Sequence, residues 1–281
     1  MGMGSDLNEL PGVKPQLQLS EGILGWSLLE LTAEQICQTL YTQPALFMAS
    51  ALLTDHMRAS GRMPDCTAGH SLGEYSALYA AEVFDYETGL RLVKERAELM
   101  SKADKGVMAA LMGFDRDKLE ALCATVAGAE IANDNSPDQV VITGTEAGVQ
   151  SVIDQLQPKR AKYLPVSGAF HSSLMTSAAA AFATTLADVP FAPPKVPVYS
   201  NVTGKATQDP EVLKENLMKQ MTSPVLWRTT VLTMAADGVT SVWEVGPGAV
   251  LTGLVKRTVA ALERVNIDSI IQIPTLNELP V

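Results

Sequence analysis

Cys66-Thr67-Ala68-Gly69-His70-Ser71-Leu72-Gly73-Glu74-Tyr75 joins a short apolar run to a helix-forming stretch through a Gly-x-Ser-x-Gly pentapeptide. A sharp strand-to-helix turn of this type holds a nucleophilic serine in a strained backbone conformation, and the flanking glycines are expected to remove Cβ atoms that would clash there. The same turn sets a helix start beneath Ser71, so the Leu72 amide faces any oxyanion formed on a bound acyl group. A small-residue turn without chemistry would use the same residues, and other signals have to separate the two readings.

Outward from this elbow, helices and strands alternate. Helical periodicity covers residues 32–60 (Ile36, Leu40, Leu46, Ala49, Leu53, Met57), and a second helix runs from Asp85 to about Lys102. Then come a strand at Val107 to Met112, a helix at Asp115 to Val126, a strand at Glu130 to Ala132 and a turn-rich Asn133-Asp134-Asn135-Ser136-Pro137. A strand at Val140 to Thr143, a helix at Glu146 to Leu156 and a strand at Ala161 to Val166 complete a βαββαβ unit. Beyond it the sequence predicts a helix at Ser172 to Leu186, a strand at Val196 to Ser200 and a helix at Glu211 to Met221. The strand Ser241 to Val245 follows, with a final helix reaching about Arg264. The expected fold class is α/β: a large α/β-hydrolase-like domain with a mostly parallel sheet (residues 1–103 and 169–281), carrying an inserted small ferredoxin-like domain (residues 104–168).

Composition bounds the function. The chain has 281 residues, 47% hydrophobic and 19% charged, which suits a globular protein with one or two domains. Its net charge of -10 argues against nucleic-acid binding, which needs a basic surface. Cys37, Cys66 and Cys123 lack metal-ligand spacing and fit free thiols in a reducing cytoplasm. No metal site is expected. The most apolar tract, Ala178 to Ala187, is too short to span a bilayer, and no signal peptide is visible.

A serine nucleophile needs a base, and there are three histidines. His70 adjoins Ser71 and would point away from it, packing or holding the turn. His56 sits in an apolar-periodic helix between Asp55 and Met57, in keeping with a surface or satisfied role. His171 follows Val166-Ser167-Gly168-Ala169-Phe170, a break of the kind that positions catalytic groups, and could accept the Ser71 proton; it could also cap the next helix. Arg96 falls inside the apolar arc formed by Leu90, Leu92, Val93, Ala97, Leu99 and Met100. A buried guanidinium needs an anion, either a structural carboxylate or one on the substrate. The second option, beside an acylating serine, implies a dicarboxylic monothioester.

Five co-linear motifs resemble the malonyl-CoA:acyl carrier protein transacylase family over nearly the whole chain. They are the elbow, Arg96 in Arg91-Leu92-Val93-Lys94-Glu95-Arg96, Asn135-Ser136-Pro137-Asp138-Gln139-Val140-Val141-Ile142, Gly168-Ala169-Phe170-His171-Ser172-Ser173-Leu174-Met175, and Glu244-Val245-Gly246-Pro247-Gly248. The resemblance implies ping-pong transfer of malonyl from coenzyme A to the phosphopantetheine thiol of acyl carrier protein. Ser71 would be nucleophile, His171 base, Arg96 the malonate clamp, Leu72 an oxyanion donor through its amide, and the Gln220 main-chain carbonyl the group orienting His171. Asn135 and Phe170 would line the substrate, with Leu72 and Phe170 matching the residue types that go with malonyl over methylmalonyl. Coenzyme A would be a substrate, with no resident cofactor, and the protein a cytoplasmic monomer. An acidic carrier protein calls for a local basic surface, for which Lys159, Arg160 and Lys162, with Lys256 and Arg257, are candidates; solvated helix ends would look the same.

The family pattern also has a strand and a Gly-Gln-Gly loop ahead of the segment that here reads Met1-Gly2-Met3-Gly4-Ser5-Asp6-Leu7, and that loop supplies a second oxyanion amide. The expectation is either a start recorded downstream of the true one or a weakened, N-terminally truncated relative. Two rival functions stay open at this level. A serine esterase or thioesterase would share the elbow without needing Arg96, and a non-catalytic interaction protein would need neither.

Overall fold

The computed structural model describes residues 12–103, 106–166, 168–269 and 272; the Met1 to Leu7 segment and Ser167 lie outside the described residues. The described residues open with helices α1 (Val13–Leu24) and α2 (Thr39–Ala59), reach the short strand β1 (Thr67–Ala68), and turn at the elbow into α3 (Gly73–Ala80). Helix α4 (Tyr86–Ser101) follows, its N-terminus capped by Asp85 Oδ1, which accepts from the Thr88 amide at 2.8 Å. α1 falls where the sequence reading assigns nothing.

The next six elements are β2 (Val107–Met112), α5 (Arg116–Thr125), β3 (Ala129–Ser136), β4 (Gln139–Gly144), α6 (Glu146–Leu156) and β5 (Arg160–Tyr163). They form a four-stranded sheet of order β3-β4-β2-β5 in which every neighbouring pair is antiparallel. Both faces of this sheet are covered. Ala109, Leu111, Val140 and Ile142 pack with Leu119, Val149 and Val152 from its two helices, whereas Met108, Ala110, Ala132 and Val141 join the larger core containing Phe47, Leu52, Tyr75 and Phe182. Burial on both sides explains why β2 and β4 read as unbroken apolar runs.

After this unit come α7 (Thr176–Asp188), β6 (Val198–Tyr199), β7 (Ala206–Thr207), α8 (Pro210–Lys219), α9 (Trp227–Ala236), β8 (Ser241–Val245), α10 (Val250–Thr258) and β9 (Glu263–Ile267). β1 pairs with β6 and β8 with β9, both in parallel, while β7 returns antiparallel on β6. The architecture is mixed α/β.

Several expectations need correction. Among the described residues the larger part holds two small sheets, not one mostly parallel sheet. The elbow ends β1 at Ala68, and a tight turn ends β6 at Tyr199, where the Ser200 amide donates to Lys205 O at 3.1 Å. The presumed turn at Asn133 to Ser136 is the second half of β3. Two register shifts interrupt the pairing there, and the Asp134 amide finds Val225 O at 2.9 Å, so polar residues of low strand propensity stay in the ladder with partners. The final helix stops at Thr258, and residues 263–267 form β9, whose Val265 and Ile267 alternate with Arg264 and Asn266 against β8. β5 ends at Tyr163, three residues before the expected Val166. Helix α9 lies in a stretch the sequence reading leaves unassigned.

β3 also fastens the small sheet to the rest. Val225 donates to Ala132 O at 2.8 Å, and Asp134 receives Arg228 from α9 at 2.9 Å and Arg116 from α5 at 3.1 Å. This seam carries Asn135 to the elbow.

Candidate active site

Ser71 has φ 52°, in the left-handed region that costs a residue with a Cβ about 1–3 kcal/mol. Something must hold it there. A Cβ on Gly69 would lie 1.9 Å from Gly73 O, so the elbow closes only with glycine at 69; Gly73, by contrast, has nothing within 4 Å of the corresponding point. The expectation that both glycines relieve a clash is thus corrected to one. Asn201, just past β6, grips the turn on both sides: its Oδ1 accepts from the Ser71 amide at 2.7 Å and its Nδ2 donates to Gly69 O at 2.6 Å. The Leu72 amide has no acceptor among the described residues and stands at the start of α3.

His171 also takes a positive φ, 60°, and is 3% exposed. Its Nδ1 lies 2.9 Å from Gln220 O, a group that only accepts, so Nδ1 carries the proton and Nε2 is the free acceptor. Ser71 Oγ then donates to Nε2 at 2.7 Å. Burial first, and next the Arg96 charge, lower the His171 pKa from 6.5 to about 3, which keeps the imidazole neutral. Capping of the following turn falls to Ser172, whose Oγ accepts from the Leu174 amide at 3.2 Å.

Arg96 projects from α4 into the same space and is 1% exposed. Its Nη1 donates to Gln43 Oε1, and its Nη2 donates to Gln220 Oε1 at 3.0 Å and to Ser71 Oγ at 3.1 Å. The guanidinium carbon lies 5.5 Å from the centre of the Tyr75 ring, and Nε has no hydrogen-bond partner. Among the described residues no carboxylate forms an ion pair with Arg96; its partners are neutral oxygens. A full positive charge met only by neutral acceptors, one of them the serine's own oxygen, is prepared for an incoming anion.

Three contributors were not singled out from sequence. Gln43 and Asn201 are two, and Glu74 inside the elbow motif is the third. Glu74 is 2% exposed and its two oxygens accept from the Asn201 amide at 3.2 Å and Gln220 Nε2 at 2.7 Å. Gln220 Nε2 also donates to Ser71 O at 2.9 Å. No linear spacing brings residues 74, 201 and 220 together; the position of Glu74 within the motif was the available signal.

The remaining candidates divide. Asn135 is buried and its Oδ1 accepts from His70 Nε2 at 2.8 Å, while the His70 ring packs edge-on against Trp227 with centroids 5.7 Å apart. Asn135 thus reaches the elbow through His70 and makes no hydrogen bond to Ser71. Phe170 is buried directly before His171. Lys159, Arg160, Lys162, Lys256 and Arg257 are all exposed. Arg160 is in register with Met112, Met112 with Gln139, and Gln139 Oε1 accepts from Arg257 Nη1 at 2.7 Å. The two basic groups therefore flank one row across the small sheet. Among the described residues no group of three or more His, Cys, Asp or Glu side chains is placed to hold a metal ion. No helix among them is long and apolar enough to cross a membrane.

A hydrolase has use for the Ser71–His171 pair, but a guanidinium within reach of the nucleophilic oxygen serves an acyl group with an anionic far end. Fold and site together define a serine acyl-transfer enzyme. The chain belongs to the acyl transferase domain family, whose model matches residues 12–277. It is 48% identical over 282 aligned residues to the malonyl CoA-acyl carrier protein transacylase of Synechocystis, covering 99% of this chain and 95% of that one. The crystal structure of the Synechocystis malonyl-CoA:ACP transacylase superposes with a TM-score of 0.96 at 48% identity, over 98% of this chain and 95% of the other. A malonyl-transacylase in complex with a type II polyketide acyl-carrier protein gives a TM-score of 0.94 at 35% identity, over 100% of this chain and 96% of its own.

Proposed function

We infer that this chain transfers malonyl from malonyl-CoA to the phosphopantetheine thiol of acyl carrier protein, supplying fatty acid or polyketide synthesis. The carrying observation is the placement of Arg96 Nη2 3.1 Å from Ser71 Oγ, on a charge that has no carboxylate partner among the described residues. Arg96 binds the malonyl carboxylate and thereby sets the thioester carbonyl over Ser71. His171 Nε2 takes the Oγ proton as the new O–C bond forms, and the tetrahedral oxyanion receives the Leu72 N–H. Collapse breaks the C–S bond, and the proton moves from Nε2 to the departing coenzyme A sulfur. The second half-reaction runs the same steps in reverse, with the carrier thiol giving its proton to Nε2 and attacking the malonyl-Ser71 ester. Gln220 O keeps the imidazole in the required tautomer, doing here what an aspartate does in a Ser-His-Asp triad. Coenzyme A enters only as part of the substrate.

In the same reading, Phe170 crowds an α-methyl branch and, with Leu72, favours malonyl over methylmalonyl. Asn135 supports the substrate pocket through His70. The exposed row from Arg160 to Arg257, joined by Lys159 and Lys256, forms a basic dock for the acidic carrier. Its support is geometric: Gln139 in that row pairs with Ser136, the neighbour of Asn135, so a carrier seated there is close to the elbow. The division into a ferredoxin-like unit over 104–168 and an α/β-hydrolase-like remainder is likewise our assignment, supported by the separate apolar cluster between the small sheet and its helices.

The test is transfer from malonyl-CoA and acetyl-CoA to carrier protein by the wild type and Arg96→Ala. Loss of a charge-assisted contact should cost malonyl about 10- to 100-fold and leave acetyl unimpaired or improved. An esterase would hydrolyse both thioesters with or without Arg96, and that result would overturn the reading.

A further inference from the structure

Glu74 is a buried carboxyl group that the mechanism above does not use. Glu74 lies on α3 beneath the nucleophile, and both of its oxygens receive N–H donors: Oε1 from the Asn201 main chain and Oε2 from the Gln220 side chain. Two donors on two oxygens suit a carboxylate, because a protonated acid would turn an O–H toward one of them. Gln220 is the branching point. Its Nε2 is held by Glu74 and by Ser71 O, which leaves Oε1 facing Arg96, and its main-chain oxygen receives His171 Nδ1.

A carboxamide can turn over, exchanging its donor and acceptor ends. If that of Gln220 did so, an NH₂ group would meet the Arg96 guanidinium, donor against donor, and the guanidinium would lose one of its fixed acceptors. Two acceptors oppose this, Ser71 O at 2.9 Å and Glu74 Oε2 at 2.7 Å, and Glu74 is the one that brings a charge. We propose that Glu74 is a positioning residue that locks the Gln220 carboxamide and, through it, the orientation of Arg96 toward the acyl carboxylate. The Glu74 carboxylate also supplies a negative counterpart of Arg96 at one residue's remove, through Gln220, without occupying the place the substrate needs.

This lock has a built-in pH dependence. Burial pushes the Glu74 pKa from 4.5 up to about 7, against the lowering effect of its bonds to Gln220 and Asn201 and of the Arg96 charge. The other ionisable groups around it are Tyr75 on its own helix, Arg96 from α4, and His171 with His70 on either side of the nucleophile. Burial raises the Tyr75 pKa, lowers that of Arg96 and lowers those of both histidines, in each case away from the charged form. Above about 7 the lock is set; below it, Glu74 gains a proton, keeps a single uncharged acceptor and holds the carboxamide less firmly.

The inference rests on the malonyl-transfer reading and deepens it. The experiment compares malonyl and acetyl loading by the wild type, Glu74→Met and Glu74→Gln across this pH range. Glu74→Met removes both acceptors and should lower the malonyl-to-acetyl preference in kcat/KM about tenfold. Glu74→Gln keeps one acceptor and should recover part of that preference, while losing the wild-type decline in preference as pH falls through about 7. The side-chain amide ¹⁵N signal of Gln220 reads the same lock without turnover: it should titrate in the wild type and not in Glu74→Gln. A residue that merely props the fold would lower malonyl and acetyl alike. That outcome, or a wild-type preference and a Gln220 signal indifferent to pH, would overturn the role of Glu74. A wild type that loads neither acyl group would defeat the malonyl reading instead, with the Gln220 signal still deciding the lock.

Discussion

The imidazole of His171 is held by the main-chain oxygen of Gln220 at 2.9 Å, where a buried acid would stand in a Ser-His-Asp triad. A neutral carbonyl fixes the tautomer but adds no negative charge to favour imidazolium. Burial and the Arg96 charge act in the same direction to keep His171 neutral, and in the proposed reaction the second proton, on Nε2, is held only while the tetrahedral intermediate lasts.

That neutrality has a stability signature. The folded-state pKa lies at about 3, below the ordinary 6.5, so between these values the unfolded chain binds a proton that the native site refuses. The contribution of a neutral His171 is complete above 6.5 and declines as pH falls toward 3. The advantage of the wild type over His171→Ala in denaturant midpoint, measured across that interval, should shrink as pH falls, because acid costs the wild type more. A constant difference would mean that His171 is not held neutral. Acetyl loading, which lacks the carboxylate that Arg96 is proposed to bind, should likewise show no histidine inflection near 6.5.

The two glycines of the elbow should behave differently. Gly69→Ala forces a methyl into Gly73 O and should displace Ser71 enough to cost about 100-fold in acyl loading. Gly73→Ala meets open space at the first turn of α3 and should load acyl groups at close to the parent rate, with stability unchanged or raised by up to about 1 kcal/mol. Equal losses in both variants, measured as loading rate and melting temperature, would contradict this account of the turn.

Charge reversal at the basic row separates the two half-reactions. Arg160→Glu with Lys256→Glu should raise KM for carrier protein several-fold and steepen with falling salt, since exposed charges act mainly on encounter. Loading from malonyl-CoA should not change. A matching loss in both half-reactions would remove these residues from the dock.

Much of this molecule is readable from local pattern. The elbow, the βαββαβ order and the burial of Arg96 follow from spacing and periodicity, and the strand at 107–112 and helix at 146–156 fall at the bounds read from sequence. What local pattern does not carry is closure over long separations. Asn201 meets Ser71 across 130 residues and Gln220 meets Glu74 across 146, and neither Asn201 nor Gln220 sits on a periodic face that would mark it. The polar half of β3 failed for a related reason. Asn133 to Ser136 reads as a turn until Val225, Arg228 and His70 arrive from elsewhere to satisfy it.

The central claim is that malonyl passes through an ester on Ser71. Incubation with malonyl-CoA in the absence of carrier, followed by intact-mass measurement and peptide mapping, tests it most directly. The account predicts one malonyl adduct located on Ser71, absent from Ser71→Ala and discharged when carrier protein with a free phosphopantetheine thiol is added. Malonyl transfer to the carrier by Ser71→Ala, or an adduct mapped to another residue, would contradict it.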